Sequence, residues 1–449
     1  MDRRGTLIAT ILASSLAFVL GSIVTVALPQ MQASFNAGPT GAQWIVTAYL
    51  LPLGAFVLMG GALGDHYGRK RVFEAGLLLF AATCLMCALA PSFPILMVAR
   101  ALEGLAAALI APTSLAIIAN TFTGPARGRA VGTWAGVGAA AGALAPVLGG
   151  VIVDLAGWRW AFAAMAPIAL TAWWVARDAI RESRADGAAG APLDWTGAAL
   201  ISAGLLALVW GLVALPDRGL TVEVMAALVA GAALVVGFVW VEANKGDLAM
   251  TPLRLFRDRV FSGLTLFTFA LYAALGGLML LLPYMLIQSQ GYSATAAGAA
   301  MLPFPLILAV LSRVAGGPLA DRFGARRLLT VGAGLVAGGF ALFAVIPGTG
   351  VSYAVHILPP LVVLALGMSL AVAPLTNAVL GSAGERHAGV ASGLNNAISR
   401  IGGLLATALL GLVLLSNDLV TGFATAAWAG VALALISAVI AATMLRADT

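Results

Sequence analysis

Charged residues are scarce in this sequence. Asp, Glu, Lys and Arg make up 9% of its 449 residues, whereas hydrophobic residues make up 61%. About a quarter of the residues of soluble domains are charged, so this chain has too few polar groups to cover a water-facing surface. The net charge of +6 does not indicate a nucleic-acid partner, because the basic residues occupy short turns between apolar runs. The composition predicts an all-α integral membrane protein whose solvent is the lipid bilayer.

Cysteine and histidine are also rare. Cys84 and Cys87 lie three residues apart in one apolar run, and no second pair completes a zinc site. We interpret them as buried thiols of one helix. The histidines His66, His356 and His387 have no paired ligand spacing, which argues against an integral-membrane enzyme. The sequence predicts no metal and no cofactor, and the lack of a Walker-type glycine-rich loop argues against direct use of ATP.

Long apolar runs fill most of the chain. The first run follows Met1–Arg4 and is too long for a cleaved signal peptide, so we expect it to be the first span. A transmembrane helix needs about 20 apolar residues at a rise of about 1.5 Å per residue. By this measure the sequence predicts fourteen spans: 6–29, 43–63, 72–91, 94–121, 130–153, 159–177, 195–214, 221–242, 260–287, 293–319, 328–347, 352–380, 388–415 and 419–445.

The distribution of basic residues predicts the orientation of these spans. Of the 24 Lys and Arg residues, three lie inside spans (Arg100, Arg313 and Arg400) and two lie at the outer ends (Arg159 and Arg218). The remaining 19 fall on one side when the spans alternate. Because cytoplasmic loops carry an excess of Lys and Arg, we expect both termini to be cytoplasmic and the protein to lie in the cell membrane.

A charged turn occurs twice. Gly61–Arg71 and Gly317–Arg327, 256 residues later, share Gly, Leu, Asp, Gly and a final Arg, and each lies between two apolar runs. Such a parallel repeat is typical of transporters built from two related halves. We therefore expect two pseudo-symmetric six-helix bundles, at 1–180 and 251–449, with two extra central transmembrane helices in 181–250.

Polar groups inside spans indicate where function lies, because a charge near the bilayer centre is costly and normally faces a cavity or a partner. Arg100 and Glu103 share one face of span four and can pair. One interpretation is a neutral structural ion pair. The other is that Glu103 binds and releases a proton, while burial and Arg100 shift its pKa in opposite directions.

Span thirteen contains a second polar group. Arg400 lies near Asn395 and Asn396 in an otherwise apolar helix. These side chains are candidates for a central cavity, and a helix–helix hydrogen bond is the alternative. Arg313, near the inner end of span ten, is expected to extend towards the headgroups.

Aromatic and polar side chains in other spans are weaker candidates for a large apolar substrate pocket. For each of them, a lipid-facing or core position is the alternative. These residues are Trp44, Thr47, Tyr49, Trp134, Phe269, Tyr272, Met368 and Asn377.

Span five is rich in small residues and contains Pro146 followed by Gly149 and Gly150. Small residues let helices approach closely, and proline removes one helical hydrogen bond and favours a kink. General close packing explains the glycines, but the Pro and Gly-Gly pattern near one end favours a helix at a moving interface.

Several of these motifs together resemble the major facilitator superfamily, in its fourteen-span branch of drug:proton antiporters, over nearly the whole chain. Gly61–Arg71 matches the signature between spans two and three. Arg100–Gly104 matches the span-four motif, with Glu103 where Gln is more usual. Ala145–Gly150 resembles the antiporter motif, with Ala145 in place of Gly. Leu20–Pro29, Asp194–Gly197 and Pro252–Arg257 also resemble the pattern of the branch.

The resemblance implies alternating access and the export of hydrophobic or cationic small molecules in exchange for protons. The branch usually has an acidic residue where this chain has Leu20, so we hypothesise that Glu103 replaces it, with Arg100 and Asp65 as further coupling candidates. The alternative function is export or facilitated transport of one endogenous metabolite or natural product with altered or no proton coupling. A non-transporting sensor is a further alternative. We expect the protein to function as a monomer.

The repeated turn is expected to act as a gate. Its motif residues are Gly61, Asp65, Gly68, Arg69, Lys70 and Arg71 in the first half and Asp321 and Arg326 in the second. We hypothesise that Asp65 latches the first bundle to the second and loses this contact when the transporter opens inward.

Overall fold

The computed structural model of the protein describes residues 2–123, 125–184, 194–245, 253–314, 319–347, 350–414 and 419–445. Every regular element in these ranges is helical, which confirms the predicted all-α class. A 3-10 turn at Leu253–Arg257 and a π turn at Tyr353–Ile357 accompany the α-helices. These are α1 (Arg3–Ser34), α2 (Pro39–Tyr67), α3 (Arg69–Ala88), α4 (Phe93–Thr121), α5 (Pro125–Ala156), α6 (Trp158–Ala163), α7 (Met165–Ala179), α8 (Trp195–Arg218), α9 (Val222–Lys245), α10 (Arg259–Gln288), α11 (Ala294–Met301), α12 (Pro303–Val314), α13 (Ala320–Ala344), α14 (Leu358–Leu414) and α15 (Leu419–Met444).

Twelve segments in the described ranges are long and apolar enough to cross a membrane. Two of the predicted spans are not among them. Span six is divided between α6 and α7, which meet at Ala164. Span thirteen belongs to α14, whose 57 residues would extend about 86 Å in a straight helix. Since a bilayer core is about 30 Å thick, α14 has the length of two spans, and the count of fourteen stays a prediction.

The described helices expose large apolar side chains and bury small ones. Trp174, Val222 and Trp240 are 64%, 87% and 69% exposed, whereas Ala106 and Ala108 of α4 are fully buried. Water-soluble domains rarely expose so many large apolar side chains. Helices that pack in lipid use small residues at their contacts and leave large ones to the acyl chains, so this pattern agrees with a membrane protein.

The described chain divides into two units. Unit 1 comprises Met1–Met250 and Ser293–Thr295, and unit 2 comprises Thr251–Tyr292 and Ala296–Thr449. In unit 1, α4 packs against α2 and α3, α1 packs against α5, and α8 packs against α9 and α2. In unit 2, α13 and α10 each pack against both α14 and α15.

Glycines bring the helices of each unit into backbone contact. A Cβ atom on Gly104 of α4 would overlap the carbonyl oxygen of Tyr49 on α2, and one on Gly60 of α2 would overlap that of Ala108 on α4. In unit 2, Gly332 of α13 and Gly367 of α14 face each other in the same reciprocal way. These contacts fix the distance between helices, because a larger residue would separate them.

Both copies of the repeated turn contain a glycine with positive φ. Gly68 separates α2 from α3 with φ +117°, and Gly324 interrupts α13 with φ +76°. Non-glycine residues rarely adopt this conformation. A helix therefore restarts one residue after the glycine in each unit, at Arg69 and at Ala325.

Candidate functional site

A buried ion pair lies inside unit 1. Arg100 Nη1 donates to Glu103 Oε2 at 2.5 Å, from positions three residues apart on α4. The side chains are 1% and 0% exposed. Two charges removed from water this completely are stable only when further hydrogen bonds satisfy them.

Arg100 has partners from two other helices. Its Nε donates to the carbonyl oxygen of Ile45 at 3.1 Å. The guanidinium carbon lies 4.6 Å from the ring centroid of Tyr49 on α2 and 5.6 Å from that of Phe162 on α6. Cation–π contacts of this kind are stronger when the cation is desolvated. Arg100 therefore holds α2, α4 and α6 around one positive charge.

Glu103 has a partner on a third helix. The thiol of Cys84 on α3 donates to Glu103 Oε1 at 3.3 Å, so each carboxylate oxygen has a donor. Both cysteines are free and buried, which agrees with the interpretation of buried thiols. In this conformation the carboxylate is sealed from water, so a proton can reach it only when the packing around α4 opens.

The first charged turn forms a network at one end of unit 1. Asp65, at the end of α2, pairs with Arg69, at the start of α3, across 2.7 Å. Glu182, which follows α7, accepts hydrogen bonds from the backbone N–H groups of Lys70 at 3.0 Å and Arg71 at 3.2 Å. A carboxylate at the start of a helix compensates its unpaired N–H groups and its dipole. Glu182 thus fixes the start of α3.

The other motif residues have separate positions. Gly61 lies on α2 beside Pro112 of α4. Arg326 lies on α13 of unit 2, and the side chain of Asp321 lies outside the described residues, as does that of Arg313. In α5, Pro146 lies inside the helix, and a Cβ atom on Gly149 would overlap Ile23 of α1. Gly150 is buried one residue further along the same helix.

The proposed cavity residues of unit 1 make specific contacts. Tyr49 is buried, and its hydroxyl donates to the carbonyl oxygen of Ala17 at 3.2 Å, while its ring lies under Arg100. Trp134 of α5 donates from Nε1 to Ser14 Oγ of α1 at 3.0 Å. Trp44 is half-buried on α2.

The cavity candidates of unit 2 lie on α10 and α14. Thr268 of α10 donates to Asn395 Oδ1 of α14 at 2.7 Å. Asn396 and Asn377 are exposed, and Arg400 and Tyr272 are half-buried. The two helices touch closely, since a Cβ atom on Gly276 would lie 2.8 Å from the Cα of Gly403. Asn395 therefore makes a helix–helix hydrogen bond, which is the alternative to a position on the central cavity.

A further polar cluster joins α8 and α9. Asp194 caps α8 by accepting from the Gly197 amide at 2.6 Å, and it also pairs with Lys245 of α9. Glu242, 1% exposed, points to the same place, because a Cβ atom on Gly197 would meet both carboxyl groups. Burial raises the pKa of Asp194, but its hydrogen bonds with Glu242, Lys245 and the Gly197 amide outweigh burial and hold this pKa below its ordinary value.

Sequence reasoning missed two of these acids. Glu242 lay at the end of a predicted span, where its acidic side chain was itself a signal of a buried polar site. Glu182 lies in a polar stretch before span seven, and nothing in the sequence connects it with Lys70, 112 residues earlier. In the described ranges, no group of three or more His, Cys, Asp or Glu residues is arranged to hold a metal ion.

Comparisons with known proteins agree with this architecture. The sequence matches the family model of the Major Facilitator Superfamily over residues 10–407. It is 34% identical to the uncharacterized MFS-type transporter EfpA of Mycobacterium tuberculosis, over 91% of this chain and 77% of that protein. It is also 34% identical to the puromycin resistance protein pur8 of Streptomyces alboniger, over 92% of this chain and 82% of that protein.

Solved structures show the same fold. A peptide transporter POT, in complex with sulfate, superimposes with a TM-score of 0.73 over 99% of this chain and 96% of that one, at 18% identity. At this identity the likeness concerns the fold alone.

Proposed function

This chain belongs to the major facilitator superfamily, and we propose that it exports hydrophobic or cationic small molecules in exchange for protons by alternating access. The relative named a puromycin resistance protein supports export of a toxic small molecule. The proton gradient supplies the driving force, with about 2.3 kcal/mol per charge for each 100 mV of membrane potential. The protein acts as a transporter rather than as an enzyme, and as a monomer in the cell membrane with both termini in the cytoplasm.

The buried carboxyl of Glu103 carries the proposal of proton coupling. Leu20, where an acid is usual in the branch, is fully buried and apolar, so it binds no proton. Glu103 is held in a fixed geometry by Arg100 and Cys84. When a proton binds Glu103, the charge-assisted bond to Arg100 weakens, and Arg100 remains bound to α2 and α6. Protonation would therefore change the packing of α4 against its neighbours.

We assign different roles to the other candidate residues. Asp65 and the basic residues after Gly68 form the gate, together with Asp321 and Arg326. Trp44, Tyr49 and Trp134 of unit 1 and Tyr272, Asn377, Asn395, Asn396 and Arg400 of unit 2 are the substrate-contact candidates. Pro146, Gly149 and Gly150 allow α5 to move against its neighbours. Residues 1–180 and 251–449 act as the two bundles, and 181–250 provides the two extra helices.

Proton flux in everted membrane vesicles tests the coupling. When the lumen of vesicles that contain the wild-type protein has been acidified by respiration, added ethidium should cause protons to leave the lumen. A protonophore should abolish ethidium transport. Glu103→Gln keeps the shape of the side chain but cannot ionise, so ethidium-driven proton release should be lost. Glu223→Gln is the matched control, because Glu223 is 71% exposed at the side chain. Undiminished proton release by Glu103→Gln would refute the assignment.

A second candidate function is the export of a single natural product, which the similarity to the puromycin resistance protein also supports. Cells that express the protein separate the two functions. Resistance to a panel of dyes and unrelated antibiotics indicates broad export. Resistance to one compound, such as puromycin, without ethidium efflux indicates a narrow exporter.

A further inference from the structure

The charged turn of unit 1 neutralises its own basic residues. Lys70 Nζ lies 3.7 Å from Glu74 Oε1, one helical turn later. Arg71 Nε lies 3.7 Å from Glu182 Oε2, and that carboxylate also accepts the N–H groups of both basic residues. The start of α3 is therefore an anion site that the chain itself occupies.

The corresponding turn of unit 2 has no acidic residue at the position of Glu74. Arg326 and Arg327 occupy the positions of Lys70 and Arg71, and Thr330 occupies the position of Glu74. Thr330 donates its hydroxyl to the Arg326 carbonyl at 2.8 Å and brings no charge. In the part of unit 2 that the structure describes, no acidic side chain forms an ion pair with either arginine.

A cavity of about 640 Å³ lies at this turn. Arg326, Arg327 and Thr330 form its polar side. Its apolar side is formed by Phe323 and by residues that include Leu328, Val331 and Ala442 of α15. Phe323 is 39% exposed and Val331 is 54% exposed, so the apolar wall continues into the outer surface of a membrane helix.

The backbone at this turn resembles that of the occupied site in unit 1, because both turns contain a glycine with positive φ. The helix restarts after Gly324 as α3 does after Gly68, so the N–H groups of Arg326 and Arg327 correspond to those that bind Glu182. Helix starts bind phosphate and carboxylate groups with such N–H groups, and two guanidinium groups add charge-assisted hydrogen bonds. Arg259 adds a third positive charge nearby, because it donates to the carbonyl oxygen of Thr443, next to Ala442.

We propose that this cavity binds the phosphate group of an anionic phospholipid. Arg326, Arg327 and the restarted helix contact the phosphate, and an acyl chain lies along Phe323 and Val331. The apolar wall favours a lipid over free phosphate, because a free anion would leave these side chains uncovered. Basic pockets between transmembrane helices bind lipid headgroups in this manner.

Native mass spectrometry of the full-length protein tests the proposal. The detergent-solubilised protein is incubated with equal amounts of phosphatidylglycerol and phosphatidylcholine of matched chain length. We expect the wild-type protein to retain phosphatidylglycerol about tenfold over phosphatidylcholine. Arg326→Gln/Arg327→Gln should reduce this preference to about twofold or less, which is the preference that non-specific attraction alone would give. The matched control is Arg181→Gln/Arg184→Gln, which removes the same charge from two exposed arginines after α7 and should keep the preference.

Thr330→Glu gives a second test that does not remove the arginines. It restores the acid that unit 1 has at this position, so the new carboxylate should pair with Arg326 and displace the lipid phosphate. Thr330→Gln should keep the tenfold preference. Retained preference in Thr330→Glu and in the double arginine variant, or a preference lost equally in the Arg181/Arg184 control, would overturn the proposal.

Inorganic phosphate distinguishes the two sources of the anion. In excess, it should leave the retained phosphatidylglycerol unchanged, because it cannot use the apolar wall. If inorganic phosphate displaces the lipid completely, the site binds a free anion and the lipid assignment is wrong.

Discussion

The thiol of Cys84 on α3 donates a hydrogen bond to Oε1 of Glu103 on α4 across 3.3 Å. Both side chains are fully buried. This contact joins the buried ion pair to the helix that begins at the charged turn. Cys84 lies 15 residues after Arg69, or about 22 Å along α3. A rigid shift of α3 at the charged turn would therefore change the second hydrogen bond of Glu103, so the turn and the buried ion pair are directly connected through α3.

Removal of the Cys84 donor should destabilise the protein more than an equivalent loss of volume. Cys84→Ala leaves one buried carboxylate oxygen without its donor, and such a loss costs about 1–3 kcal/mol. Cys87→Ala is the control, because Cys87 is equally buried on the same helix but makes no hydrogen bond to Glu103. We expect Cys84→Ala to lower the free energy of unfolding by about 1 kcal/mol more than Cys87→Ala, measured in detergent. Cys84→Ser, which keeps a donor, should fall between wild type and Cys84→Ala. Equal effects of the two alanine variants would contradict this role of the thiol.

Arg100 and Glu103 should behave as one unit in a double-mutant cycle. Arg100→Met leaves a buried carboxylate without its main partner, and Glu103→Leu leaves a buried guanidinium, so each should cost about 3–5 kcal/mol. Arg100→Met/Glu103→Leu removes both charges and should cost much less than the sum, since apolar replacement of a buried pair is often near neutral. Unfolding free energies of the four proteins give the coupling. If the single effects simply add, the pair is not the unit that the 2.5 Å contact indicates.

Gly104 should tolerate no side chain. Gly104→Ala places a methyl group against the Tyr49 carbonyl oxygen, so α4 and α2 must separate, at a cost of about 1–3 kcal/mol. Gly132→Ala on α5 is the control, because nothing lies within 4 Å of its Cβ position. It should be neutral or slightly stabilising, since alanine favours a helix by up to about 1 kcal/mol over glycine. Thermal unfolding in detergent compares them. A Gly104→Ala protein as stable as Gly132→Ala would show that the helices are not held in contact there.

Features that depend on local pattern could be predicted from the sequence. The scarcity of charge predicts the membrane helices, and the spacing of Arg100 and Glu103 on one helix predicts that they can pair. The repeat of Gly68 at Gly324 predicts two similar turns. In each case the relevant groups lie within a few residues of one another, or within two copies of one motif, so the helical period and the composition suffice.

Features that depend on long-range packing could not be predicted. Cys84 reaches Glu103, and Glu182 reaches the start of α3, only because separate helices pack together. The sequence contains no signal of these contacts between separate helices. The single helix α14 was also not predicted, because Gly381 and the polar residues after it indicate a break, whereas the backbone remains helical.

The charge of Asp194 should contribute to stability only above acidic pH. Its pKa in the folded protein lies below its ordinary value, so the ionised form is favoured by folding. This contribution is complete above the unfolded pKa of about 3.9 and is lost as the pH falls through the lower folded pKa. Asp194→Asn tests the charge alone, because Asn caps helices as well as Asp does. We expect it to lower the unfolding free energy by about 1–3 kcal/mol at pH 7, the usual value of a charged hydrogen bond, and by less at a second pH below the unfolded pKa of about 3.9. A difference from wild type that is the same at both pH values would contradict this assignment.

Asp65 should matter for transport and little for stability. Its ion pair with Arg69 is 42% exposed on the carboxylate side, and exposed pairs contribute about 0–1 kcal/mol. The free energy of unfolding of Asp65→Asn should therefore lie within about 1 kcal/mol of that of the wild type. If Asp65 gates the conformational cycle, the same substitution should slow ethidium efflux at least about fivefold, the lower end of typical coupling energies. Glu223→Gln, which removes the carboxylate of another exposed ion pair, should change neither property. A normal efflux rate for Asp65→Asn would remove the gate from the mechanism, while a loss of stability that matched the loss of transport would make the residue a structural one.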